Sequence, residues 1–181
     1  MNERVVLVND DGTVAGEAGK LAAHEPPGQL HLAFSVLIYR LDGTTLLQRR
    51  AASKYHFPGA WANACCSHPG PGEPLVAAAK RRVAEELGMH LELACAGQFT
   101  YRAVCPRSGL VEHELDHVLV GASEEEPSPD AQEVDALAWL EPGAVLEAAK
   151  DASLARLLGI FPLAPWLPEA LRLAEAVRAR G

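Results

Sequence analysis

Basic charge is in short supply in this chain. Its 181 residues carry 16 Lys and Arg against 24 Asp and Glu, a net charge of −8 at pH 7. That balance creates no basic field, which argues against nucleic acid or an anionic membrane as a partner held by bulk electrostatics. An anionic ligand must instead be met by local cations or a metal ion. Long apolar runs are equally scarce. No segment approaches the ~20 residues that span a bilayer, and no charged-then-apolar leader precedes Val5-Val6-Leu7-Val8. A cytoplasmic protein is the expectation. The four cysteines, at positions 65, 66, 95 and 105, lack the paired spacing of a zinc site. Joining adjacent Cys65 and Cys66 would close a strained ring, so free thiols are expected. Cys95, in Leu91-Glu92-Leu93-Ala94-Cys95, reads as a small buried hydrophobe.

What is present suits one globular domain over residues 1–181, with 49% hydrophobic and 22% charged residues. Arg4 to Val8 reads as a strand closing in Asn9-Asp10-Asp11-Gly12, with Val14 to Glu17 as its hairpin partner. A polar loop from Ala22 to Gly28 follows. His31 to Tyr39 is apolar enough for a central strand, and Asp42-Gly43 turns it into Thr45 to Arg50 as a buried hairpin. From Glu73 to Leu87 the apolar positions Val76, Ala79, Val83 and Leu87 recur at helical spacing, with Pro74 in the first turn and Gly88 as the stop. Further strands are expected at Gln98 to Val104, Val111 to Val120 and Val134 to Leu140. Between the last two, Ser123 to Asp130 reads as a solvated loop. Helical stretches follow at Ala144 to Lys150 and near Leu154 to Leu158, and a C-terminal helix carries Leu167, Leu171, Ala174 and Val177. Strands mixed with hairpins and a few helices point to an α/β or α+β fold.

Spacing then picks out residues able to do chemistry. Residues four apart share a helix side, so Arg82 and Glu86 can address one ligand, the first through phosphate oxygens and the second through a divalent cation; they would equally suit an exposed helix pair. In extended chain, residues two apart share a face. Cys66 and His68 therefore point one way, and Glu112, Glu114 and Asp116 line one face of their strand. Aligned carboxylates are costly unless a cation sits among them or the face is solvated. His24, His31 and His68 all flank strand-like runs, and imidazoles with carboxylates make a mixed site suited to Zn²⁺, Mn²⁺ or a similar ion. Arg50, Lys54 and Lys20 are candidate cations for a diphosphate.

These residues resemble a known family, the type I isopentenyl-diphosphate delta-isomerases of the Nudix fold superfamily. The resemblance covers most of the chain. It rests on Leu30-His31-Leu32-Ala33-Phe34-Ser35, Phe57-Pro58-Gly59-Ala60-Trp61-Ala62-Asn63, Cys66-Ser67-His68-Pro69, the Glu73-to-Gly88 helix, Tyr101-Arg102-Ala103, Glu112-His113-Glu114 and Ala164-Pro165-Trp166. Hydrolases of the superfamily carry a box of the form G-x5-E-x7-R-E-x-x-E-E-x-G, and Glu73, Arg81, Glu85, Glu86 and Gly88 fit it. Ser67 replaces the opening glycine, and Arg82 stands where hydrolases have a metal-binding glutamate. A guanidinium there exchanges a metal ligand for a phosphate clamp, which favours keeping the diphosphate intact.

The resemblance implies a Nudix-type α/β/α sandwich with a mixed β-sheet between helical layers. It also implies conversion of isopentenyl to dimethylallyl diphosphate by an acid/base pair, Cys66 and Glu114, on opposite faces of the allylic carbons. Tyr101 would relay or orient a proton beside Glu114, and Trp166 would offer a π face to the developing cation. His24, His31, His68, Glu112 and Glu114 match the family's first metal site, for Mn²⁺ or Zn²⁺, with Cys66 counted among the metal residues. Mg²⁺ bridging Glu86 and the diphosphate would be the second, and Lys20, Arg50, Lys54 and Arg82 match the diphosphate contacts. The implied partner is a small isoprenoid diphosphate, with no nucleic acid, membrane or named protein partner. A Nudix hydrolase of nucleoside diphosphate derivatives is the competing reading, opposed by Arg82 and left without a use for Cys66. A metal-binding domain without catalysis is the other.

Overall fold

The structure is a computed structural model describing residues 3–180. Its frame is one mixed nine-stranded sheet. The first hairpin forms as the Asn9-to-Gly12 turn requires, joining β1 (Arg4–Val8) to β2 (Val14–Gly19). A short helix α1 (Lys20–His24) then occupies part of the expected loop and delivers the chain to β3 (His31–Tyr39), the apolar run that becomes the sheet's central strand. Along its whole length β3 pairs in parallel with β8 (Val111–Ala122), from His31 beside Glu114 to Tyr39 beside Ala122, and β7 (Ala94–Val104) closes that side as an edge strand antiparallel to β8.

The expected β3–β4 hairpin is only partly made. β3 and β4 (Thr45–Arg50) share the single register pair Tyr39 and Thr45, then part. Two short strands enter the gap: β5 (Trp61–Asn63) pairs with β4, and β6 (Cys65–Ser67) pairs with β3. The Asn63 amide seals the split by donating to the Val36 and Cys65 carbonyls at 3.1 and 2.9 Å. Trp61 opens β5 and is buried in the core. The far edge of β4 carries β9 (Val134–Leu140), antiparallel.

Both faces of the sheet are covered. On one, α2 (Leu75–Leu87) lays Ala78, Ala79, Val83 and Leu87 on Phe34, Val36 and Ile38. On the other, α3 (Pro142–Ala148), α4 (Ala152–Leu157) and α5 (Leu167–Arg178) cover Leu37, Leu47 and Val118. This is the expected α/β/α layering. Pro74 sits at the N-cap of α2 rather than inside its first turn, where its fixed φ of −62° needs no helical hydrogen bond, and Gly88 ends the helix at φ +66°. Val76 and Val177, expected on core faces, are 36% and 39% exposed, Val76 lying in the first turn of α2 and Val177 in the last turn of α5. Cys95 is exposed rather than buried. The bulge between Cys95 and Gly97 puts the alternation out of step, so Ala96 packs inward with Phe99, Tyr101 and Ala103 while Cys95 turns to solvent. All four cysteines are free. No described helix is long and apolar enough to cross a membrane.

Candidate active site

The parallel register of β3 and β8 sets His31 beside Glu114 at one end of the sheet, and period-two alternation turns Glu112, Glu114 and Asp116 inward together, all buried. α1 ends on His24, also buried, and β6 runs out into His68. The loop between α1 and β3 is pinned by Gly28, at φ +82°, whose carbonyl accepts from His113 Nδ1 at 3.1 Å. Four separate segments thereby bring His24, His31, His68, Glu112 and Glu114 together, one ligand atom of each lying within 4.8 Å of all the others.

Hydrogen bonding orients these imidazoles. His24 Nδ1 lies 2.6 Å from the Lys20 carbonyl and His31 Nδ1 lies 2.8 Å from the Gln29 carbonyl, contacts that require N–H at each Nδ1 and leave Nε2 as the free face. His24 Nε2 then meets Glu112 Oε2 at 3.0 Å and His31 Nε2 meets Glu114 Oε1 at 3.5 Å. His31 Nε2 is buried with no hydrogen-bond partner. Lone pair facing lone pair demands a positive centre between them, a proton or a metal ion, and this N/O donor set can hold a divalent metal. Burial works against ionisation of Glu114, but the His31 and His68 imidazoles beside it outweigh that and hold the carboxyl well below the usual range. Burial likewise opposes ionisation of Glu112, and the Glu114 charge adds to that, yet bonds to His24 and His56 leave it lowered.

No cysteine belongs to this ligand group. Cys66, counted among the metal residues from sequence, instead directs its thiol to Asn63 Oδ1 at 3.1 Å and receives the Trp166 indole N–H at 3.2 Å. Its neighbour across the strand pair, Ser35, lies 3.8 Å from the sulfur and donates to Asp116 Oδ2 at 2.7 Å. Burial pushes the Cys66 thiol up to about 12 even with Arg50 nearby. Tyr101 completes this end: its hydroxyl donates to Glu114 Oε2 at 2.6 Å, and its ring lies 5.8 Å from that of Trp166.

A cavity of about 200 Å³ connects this end to a cationic one, and Lys20, Arg50, Lys54 and Arg82 all line it beside Cys66, His68, Tyr101, Glu114 and Trp166. Arg82 and Glu86 share a helix side as expected, 2.5 Å apart, but Glu86 is fully buried and also accepts from Gln48 at 3.2 Å, so the pair is no solvated helix contact. Arg81 forms the outer ladder instead, bound to Glu73 and Glu85. Lys20 pairs with Glu3 at 2.8 Å, and Arg50 donates twice to the His56 carbonyl.

Two residues at the site escape sequence reasoning. His56, whose Nδ1 lies 3.2 Å from Glu112 Oε1, sits in an irregular loop with no periodicity to mark it. Glu133 binds both Lys54 and Arg82, although it lies 51 residues after Arg82, beyond a surface loop rich in other acids.

The sequence matches the family model of the NUDIX domain over residues 29–158. The fold agrees: the crystal structure of DR0079 from Deinococcus radiodurans superposes with a TM-score of 0.73 at 21% identity, covering 94% of this chain and 98% of that one. Fold and site together define a Nudix protein whose box helix presents a guanidinium at position 82. Among curated proteins, isopentenyl-diphosphate Delta-isomerase of Nocardia farcinica is 46% identical over 172 residues, 95% of this chain and 94% of the relative. That of Streptomyces griseus is 53% identical over 135 residues, 74% of this chain and 68% of the relative. The chain belongs to the isopentenyl-diphosphate Delta-isomerase family.

Proposed function

We propose that this protein, acting as one domain, converts isopentenyl diphosphate to dimethylallyl diphosphate for isoprenoid synthesis in the cytoplasm. The observation that carries the reading is the pairing of a thiol and a carboxylate, Cys66 and Glu114, on a single cavity whose other end is cationic. Their surroundings drive them apart in acidity. Cys66 keeps its proton and Glu114 loses its own, the arrangement expected of an acid/base pair.

In this reading the diphosphate lies among Lys20, Arg50, Lys54 and Arg82, which fixes the non-reacting end and places the alkene between Cys66 and Glu114. One of the two delivers a proton to the terminal methylene, giving a tertiary carbocation. The other removes a proton from the carbon next to the diphosphate-bearing carbon, so the double bond moves inward and no atom is gained or lost. The Trp166 and Tyr101 rings present π faces to the transient cation. Tyr101 holds Glu114 in place through its hydroxyl. His24, His31, His68, Glu112 and Glu114 would hold Mn²⁺ or Zn²⁺, and Glu86 would hold Mg²⁺ beside the diphosphate. Bound there, these ions supply positive charge that fixes the carboxylates and offsets the diphosphate.

Incubating the reduced protein with isopentenyl diphosphate, Mg²⁺ and Mn²⁺ in D₂O, followed by proton and phosphorus NMR, tests this. Allylic methyl signals carrying deuterium, with the diphosphate intact, are expected. Cys66→Ala and Glu114→Gln are each expected to lower the rate by roughly 10²–10⁴. An untouched alkene with phosphate released would replace this reading with hydrolysis.

A further inference from the structure

Resting on the reading that the cavity takes a diphosphate, the geometry points to Glu133 as a positioning residue that makes the site select a cation–diphosphate complex over the bare anion. Three of the four cavity cations are already matched by carboxylates, Lys20 by Glu3 and the other two, Lys54 and Arg82, by a shared acidic pair. Lys54 Nζ lies 2.5 Å from Glu133 Oε2 and 3.8 Å from Glu86 Oε1. Arg82 Nη2 lies 2.5 Å from Glu86 Oε1 and 3.0 Å from Glu133 Oε1. Two positive charges thus face the two negative ones of Glu86 and Glu133, and Glu85, 2.6 Å from Arg82 Nη1, adds a third, so this corner has no excess positive charge. Burial opposes the charge on Glu133, yet Lys54 and Arg82 hold its carboxyl ionised, down to about 2.

Glu133 cannot simply swing away with its backbone. Its N–H donates to Asp130 O and its carbonyl accepts from Ala51 N, both at 2.9 Å, which anchors it beside the end of β4. Its side chain lines the same cavity. A bare diphosphate reaching for Lys54 and Arg82 therefore displaces one anion while remaining next to another, an unfavourable like-charge contact in a partly desolvated site. A divalent cation arriving with the diphosphate adds two positive charges to a corner holding these carboxylates, and the repulsion is relieved. Glu133 acts through Lys54 and Arg82: it keeps both side chains extended over the cavity and penalises ligands without a metal.

The test is calorimetric binding of inorganic pyrophosphate at fixed ionic strength, in Mg²⁺-free buffer and with saturating Mg²⁺, for the native protein, Glu133→Gln and Glu133→Asp. The ratio of the two dissociation constants is the quantity read. Glu133→Gln is expected to bind metal-free pyrophosphate about tenfold more tightly than the native protein and to shrink the Mg²⁺ enhancement by a similar factor. Glu133→Asp, which keeps the charge, is expected to retain the native ratio. An unchanged ratio in Glu133→Gln, or the same change in both variants, would overturn the proposal, since a packing role would not distinguish charge from its absence. If Glu133→Gln does not fold, a native ratio near one overturns it equally. Failure of the native protein to bind pyrophosphate even with Mg²⁺ would refute the diphosphate reading and this inference with it, whereas pyrophosphate binding without isomerisation would refute only the chemistry.

Discussion

Replacing Tyr101 by Phe removes a single oxygen from the acid/base end of the cavity. The lost contact is the 2.6 Å hydrogen bond from the hydroxyl to Glu114 Oε2. The aromatic ring remains, so its packing against Trp166 and Phe99 is kept. Glu114 also keeps His68 at 2.8 Å and His31 at 3.5 Å, so the buried carboxylate is not orphaned and the fold should survive. A hydrogen bond to a charged group contributes about 1.5–3 kcal/mol. If that bond orients Glu114 at the moment of proton transfer, its loss appears in the barrier and lowers kcat by roughly 10- to 150-fold. KM should hardly move, because Tyr101 is absent from the ion pairs and carbonyl contacts of Lys20, Arg50, Lys54 and Arg82 at the other end. Steady-state rates in the NMR assay, with thermal unfolding as a check on the fold, measure both. A variant with kcat within about twofold of native would refute the argument that the hydroxyl positions the carboxylate. So would a loss confined to KM.

Removing divalent metal should expose the strain of the His/Glu group: adding Mn²⁺ at about 100 times its dissociation constant is expected to stabilise the fold by about 2.7 kcal/mol, or roughly 5–10 °C in Tm. His31→Ala should abolish that shift, and identical melting with and without chelator would count against a metal there. A pH effect follows from Glu133, whose folded value is depressed to about 2: burial opposes this, but Lys54 and Arg82 outweigh it. Its contribution is complete above the ordinary carboxylate value and fades as pH falls from about 4.5 to 2. Because the side chain keeps 27% of its surface in solvent, that contribution is about 1–2 kcal/mol at most after screening. Urea unfolding of native and Glu133→Gln should therefore converge in acid, and a stability gap that widens toward low pH would contradict the assignment. Gly28→Ala would place a Cβ 2.6 Å from Val111 Cγ1 on a residue at φ +82°. A cost of about 2 kcal/mol or more in urea unfolding is expected, with weaker Mn²⁺ binding because the same loop orients His31; stability within about 0.5 kcal/mol of native would show that the loop yields freely.

Local order decided what the sequence could say. The strands His31–Tyr39 and Val134–Leu140 and the Leu75–Leu87 helix stand in the linear pattern because period two and period 3.6 follow from backbone geometry alone, and Gly88 ends its helix by the same logic. The same periodicity aligned Glu112 with Glu114 and Arg82 with Glu86 before any contact was known. Only the tertiary structure decided how those local pieces meet. The parallel pairing of β3 with β8 lays His31 against Glu114 across more than eighty residues of chain, the insertion of β5 and β6 splits an expected hairpin, and one bulge turns Cys95 outward. Burial then set the chemistry. Glu86 on a helix rim is indistinguishable in sequence from a solvated acid, and Glu133 from its exposed neighbours, yet enclosure beside Lys54 and Arg82 makes both part of the site. Periodicity is a property of neighbours along the chain, whereas charge pairing and acidity depend on distance and solvent, which the fold alone fixes.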